Sequence, residues 1–154
     1  MTTGRVIVIN IDRHTTPAGH LELTVTGPSA FALPYRPGRL PEPLLNQLAQ
    51  CQPAARTPEE HAALRQALDQ RSVASAAHAV TLHLLYLRRC CQQDNTLGQS
   101  VKQLAGRVRA GQRLALACRC VTDIYVPGVS APPATPCHAV NIARAIAGYA
   151  QKPT

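Results

Sequence analysis

Residues 5–11 read Arg-Val-Ile-Val-Ile-Asn-Ile, an apolar, β-branched run with no polar alternation. A strand that faces water on one side alternates, so an unbroken run of this kind predicts a strand covered on both faces, as parallel sheets are. A chain carrying such a strand must supply helices to cover it. The stretch at residues 20–26, His-Leu-Glu-Leu-Thr-Val-Thr, does alternate and predicts a second strand with one wet face. The short connection between the two predicts a hairpin.

Residues 27–43 hold five prolines and two glycines, which remove backbone donors and fix turns, so no regular element is expected there. A short helix is expected at residues 43–50. Thr57-Pro58-Glu59-Glu60 carries the signs of a helix start: Thr57 as N-cap, Pro58 at the first position and Glu60 placed for a capping box. That helix should run to about Gln70. Residues 72–93 are apolar around most of a helical circumference and predict the central helix. Another helix over 97–110 presents Val101, Leu104, Ala105 and Val108 at helical spacing and closes on Gly111. After the late strand "RLALACRC", Thr135 and Pro136 predict the N-cap and first position of a last helix. The fold class is therefore α/β, one small domain over residues 1–154 with strands near both ends and a mostly helical middle.

Composition narrows the function classes. Aromatic residues are only 3% of the chain, so base-stacking platforms are scarce, which counts against single-strand or RNA recognition through aromatic faces. The net charge of +8 favours anionic partners, whether a nucleotide, nucleic acid or an acidic protein surface. From Asn95 onward seven basic residues face one acid, Asp123. No charged-then-apolar leader and no apolar run near the roughly 18 residues needed to span a bilayer is present, so a cytoplasmic protein with no membrane partner is expected. Its six cysteines should then be reduced, leaving metal binding, thiol chemistry or plain burial as their roles. No phosphate-binding glycine loop, zinc-protease helix or serine elbow is found.

On a regular strand Leu114, Leu116, Cys118 and Cys120 share a face, so the two cysteines extend an apolar stripe. Their position at the carboxyl end of a strand that feeds a helix gives them a second meaning, because ligands bind at that edge of open α/β sheets. Cys137 and His138 sit at the expected helix start, where the dipole favours a thiolate and the imidazole supplies a ligand or a proton carrier. Three chemistries fit Cys118, Cys120, Cys137 and His138. A zinc site would use all four as ligands, provided the strand bends, since β-carbons two residues apart stand about 6.6 Å from each other on a regular strand. A thiol enzyme would use Cys137 as nucleophile and His138 as its base. A structural cluster would only pack. Whether the chain is an enzyme is left open. Arg119 and Thr135, at the strand end and helix start, are candidate ligand-binding residues beside them.

The order Cys-x-Cys strand, loop, Pro-Cys-His, apolar helix resembles a family of small bacterial and phage domains of unknown function. The likeness extends to the first strand, closing on Asn10, and to a following loop in which Gly27, Pro34 and Tyr35 match while an arginine and a Gly-Asn pair are replaced. The sixteen residues between Cys120 and Cys137 exceed the usual spacing. The resemblance implies a Rossmann-like domain with a nucleotide or nucleic-acid-associated pocket, with Asn10, Gly27 and Tyr35 on the ligand side. It also implies the alternative of a non-catalytic interaction protein of a phage or mobile element, zinc-stabilised and acting on a host protein.

Overall fold

The computed structural model describes residues 4–25, 31 and 33–152, and it is a mixed α/β fold. The chain divides into two compact units, one of residues 1–32 with 99–154, the other of residues 33–98.

The first unit holds a three-stranded sheet in the order β1-β5-β2, from β1 (Arg5–Asn10), β5 (Arg113–Cys118) and β2 (His20–Thr24). Both pairings are parallel, with Arg5, Arg113 and His20 in register at one end and Asn10 and Cys118 in register at the other. The expected hairpin is absent. β1 and β2 run in the same direction with β5 between them, so residues 11–19 form a crossover rather than a turn. The physical reason lies in β5, whose residues after Arg113 are all buried and which gains ladder bonds on both sides when it is central. β2 takes the outer place, and the alternation expected of it is not reflected in its burial: Leu21, Glu22 and Thr24 are all exposed, while His20 and Leu23 are half-buried. The free edge of β1 is covered by Tyr125, which exchanges two 2.9 Å backbone hydrogen bonds with Val8.

One face of the sheet carries Ile7, Ile9, Ala115 and Ala117, packed with Val126. α5 (His138–Gln151) packs on β1 and β5, and its Ala139, Ile142, Ala143 and Ile146 are buried, as their helical spacing predicts. α4 (Thr96–Arg109) precedes β5 and buries Val101, Leu104, Ala105 and Val108. Gly4 lies where the strand enters against the turn after α4, and a β-carbon there would stand 2.0 Å from the Gln112 carbonyl oxygen.

The second unit is helical. α1 (Glu42–Ala49), α2 (Pro58–Gln70) and α3 (Ala76–Gln93) enclose a core of Tyr35, Leu45, Leu48, Leu64, Leu82 and Leu85. Thr57 and Glu60 form the predicted capping box, and Glu60 also receives Arg88 from α3 at 2.6 Å. Two short strands, β3 (Gly38–Arg39) and β4 (Ser72–Val73), pair antiparallel within stretches read as loop and helix. α3 consequently starts at Ala76, capped by Ser75, and not at residue 72. Among the described residues no helix is long and apolar enough to cross a membrane.

Candidate metal centre

β5 ends at Cys118, and the chain then bends through Arg119 and Cys120. The bend is pinned by Asn10, the register partner of Cys118 on β1. Its buried amide donates from Nδ2 to the Val121 carbonyl at 2.9 Å, while its Oδ1 accepts the Asp12 N–H at 2.9 Å. The Cys118 carbonyl accepts the Ile11 N–H at 2.8 Å. At this bend the Cys120 sulfur comes within 4.8 Å of that of Cys118.

Cys137 completes the group. The sulfurs of Cys118, Cys120 and Cys137 all lie within 4.8 Å of one another, with Cys118 and Cys137 buried and Cys120 half-buried. Cys137 Sγ donates to Cys118 Sγ over 3.5 Å. Cys118 is the thiolate of the trio. The hydrogen bond from Cys137 is the largest cause, working against burial and aided by the N–H groups of Val121 and Cys120 and by the Cys120 thiol, and together they draw its pKa down to about 6. Donating a hydrogen bond to Cys118 drives the Cys137 thiol far upward, with burial and the nearby Cys118 and Cys120 charges in the same sense. Cys120 is raised by burial and by the Cys118 charge. The sequence expects the thiolate at Cys137 on the strength of the helix dipole; the hydrogen bonds that converge on Cys118 favour it there instead.

The last helix also begins later than the sequence suggests. Cys137, with extended backbone at φ −147° and ψ 119°, is the N-cap, and His138 is the first helical residue. Thr135 is therefore not the cap and lies exposed ahead of the helix. The side chain of Cys137 is spent on the strand end and closes no capping bond, although the Val140 N–H faces its sulfur.

His138 does not join the three sulfurs, which corrects the expected fourth ligand. Its buried ring donates from Nε2 to the Val25 carbonyl at 2.9 Å, and burial holds its pKa below the usual imidazole value. Its ring nitrogen is held instead by the carbonyl of the residue that follows β2. The two residues read as nucleophile and base thus face different partners, Cys118 and Val25.

The remaining ligand candidates divide. Arg119 is exposed beside the cysteines, its Nε 3.8 Å from Asp12 Oδ2. Asn10 reaches the centre through Val121, as a pin whose amide is satisfied within the protein. Gly27 lies outside the described residues. Tyr35 is a core residue of the helical unit, fully buried, its hydroxyl donating to Gln47 Oε1 at 2.5 Å and its ring edge-on to Tyr86. Burial of that kind removes it from any ligand surface. Sequence reasoning missed the Asn10 pin and the Tyr125 bridge; an asparagine ending an otherwise apolar strand was the one available sign of the first.

Fold and site define a mixed α/β protein with a three-cysteine cluster at the carboxyl end of a parallel sheet. No family model, curated protein or solved structure matches the chain.

Proposed function

We propose that this is a small binding protein in which Cys118, Cys120 and Cys137 hold a thiophilic metal ion, zinc, at the ligand edge of the sheet. The observation that carries this reading is the convergence of the three sulfurs within 4.8 Å. Zinc is bound by thiolates at about 2.3 Å, which sets sulfurs around a tetrahedral ion about 3.8 Å apart, so sulfurs within 4.8 Å of one another close onto one ion with a shift of about an ångström. Cys118 is drawn toward the charged form before any ion arrives, which reduces the protons that binding must expel. Three protein ligands leave a tetrahedral ion one further position for water or a ligand, the pattern of zinc sites that act on something else.

The test is elemental analysis of protein purified under reducing conditions, followed by cobalt substitution. About one ion per chain, with thiolate-to-cobalt absorption that disappears in Cys118→Ser, is expected. Metal-free protein that takes up neither ion overturns the reading.

A second reading places a nucleotide or nucleic-acid phosphate at the same edge. It is supported by the parallel run of all three strands, whose carboxyl ends meet there, and by the exposed guanidinium of Arg119 beside the cysteines. Calorimetry with mononucleotides and short DNA and RNA at low salt tests it, with binding expected to weaken in Arg119→Ser.

A further inference from the structure

The other end of the same sheet carries a second site of opposite character. Arg5, Arg113 and His20 are the first residues of β1, β5 and β2, and the parallel register sets them side by side in a single row. Register partners in parallel strands project to the same face, so the three side chains share the face that carries Ile7, Ile9, Ala115 and Ala117 further along. Neighbouring strands stand about 4.8 Å apart, which makes the row about 10 Å wide. Two arginines directly opposite each other repel, and among the described residues neither guanidinium forms an ion pair.

The row is held rigidly. Gly4, next to Arg5, donates to the Val108 carbonyl at 2.9 Å and sits so close to Gln112 that no β-carbon fits, which locks the start of β1 to the turn that begins β5. Arg5 Nε donates to His20 Nε2 at 3.1 Å. The ring nitrogen that accepts this bond carries no hydrogen, so the other, Nδ1, carries one and faces the Ala18 carbonyl at 3.4 Å. Arg5 is therefore drawn across the row with its terminal N–H groups unspent, next to the exposed guanidinium of Arg113. The nearest acid on this face, Glu22, is two residues along β2, and its carboxylate is engaged by Thr16 at 2.6 Å.

We propose that Arg5 and Arg113 bind a phosphoryl group at the amino edge of the sheet, with His20 as a positioning residue that aims Arg5. Two adjacent guanidinium forks match the several oxygens of a phosphoryl group better than the two of a carboxylate, and a dianion between them removes the like-charge repulsion. The site lies at the opposite end of the strands from the cysteines and does not depend on a metal there.

The experiment measures thermal shift and calorimetric binding at low salt with inorganic phosphate and, separately, with a single-stranded oligonucleotide lacking terminal phosphates. Arg113→Ser and Arg5→Ser are each expected to weaken binding about tenfold or more, the usual loss of a charge-assisted hydrogen-bonding partner, while the ligand-free variants melt no lower than the parent. His20→Ala weakens binding and His20→Gln, which keeps an acceptor for Arg5, restores it. Binding of inorganic phosphate that depends on Arg113 identifies a free phosphate or phosphomonoester ligand. Binding of the oligonucleotide alone, again dependent on Arg113, identifies backbone phosphates as the source. Absence of binding by both probes overturns the proposal, as does binding that survives Arg113→Ser but is lost in Arg119→Ser at the cysteine edge.

Discussion

Cys137 donates a hydrogen bond to Cys118 across 3.5 Å, and this contact makes a strand-end thiol the most acidic of the three. In metal-free, reduced protein Cys118 should therefore titrate near 6, seen as thiolate ultraviolet absorbance rising well below the ordinary thiol range. Cys137→Ala removes the largest cause of the shift and should move that titration upward by at least one unit, on the order of one hydrogen bond to a charged group. A titration left unchanged would show that the backbone N–H groups and the Cys120 thiol set the value.

The same pair predicts how stability varies with pH. Cys118 has a folded pKa near 6 against 9.0 for an ordinary thiol, so between those values the unfolded chain binds the extra proton and stability rises with pH. Cys137 is shifted the other way, so above 9.0 the folded state holds a proton that the unfolded chain releases, and its contribution falls. Urea midpoints of the metal-free protein should accordingly gain from pH 6 toward 9 through this pair, and Cys118→Ser should flatten the rise.

Asn10→Ala should uncouple the bend from the sheet. It strips the Val121 carbonyl and the Asp12 N–H of a buried partner and costs about 1–3 kcal/mol. Because Val121 follows Cys120 directly, metal affinity measured by chelator competition should fall as well. An equivalent loss of stability made elsewhere, such as Ile146→Val, should leave that affinity in place.

In the helical unit, Glu60 serves Arg56, Thr57 and Arg88 at once, at 2.8, 3.4 and 2.6 Å. Glu60→Gln keeps the volume but removes the charge that Arg88 faces, and should cost about 1–3 kcal/mol in urea denaturation. Its carboxyl is held below the usual range because the Arg88 and backbone hydrogen bonds exceed the opposing effect of burial, so this contribution is present near neutrality and is lost as the solution is acidified through its folded pKa.

Gly98→Ala tests the corner between α3 and α4. A β-carbon at Gly98 would stand 2.3 Å from the Cys90 carbonyl oxygen, a contact with backbone that no rotamer relieves. A cost of about 1–3 kcal/mol, typical of overpacking, is expected in thermal or urea unfolding.

What could be read from the sequence followed from local rules. The box at Thr57 and Glu60, the apolar stripe of α5 and the doubly buried β1 each depend on residues within a few positions, and each is found. What failed depended on long-range pairing. Whether β2 lies beside β1 or beyond β5 is decided by a strand that arrives some ninety residues later, which no pattern in residues 5–26 encodes. For the site, proximity of Cys118, Cys120 and Cys137 was legible because a strand end and a helix start meet at one edge of a parallel sheet. The orientation of His138 was not, because it turns on a helix capped at Cys137 and not at Thr135. Tyr35 was misassigned for a related reason: it was aligned to a loop by its neighbours in sequence, while its surroundings are Gln47 and Tyr86.

The long loop between Cys120 and Cys137 is closed by the protein itself, through the Val8–Tyr125 bridge and the Val126–Ser130 turn. The ring that would chelate an ion is thus assembled before the ion comes, on a sheet whose burial owes nothing to it. In zinc fingers the metal is the fold, and a chelator is a denaturant. Here the donor ring should be loaded and stripped as a cartridge is, with the surrounding sheet and helices left standing.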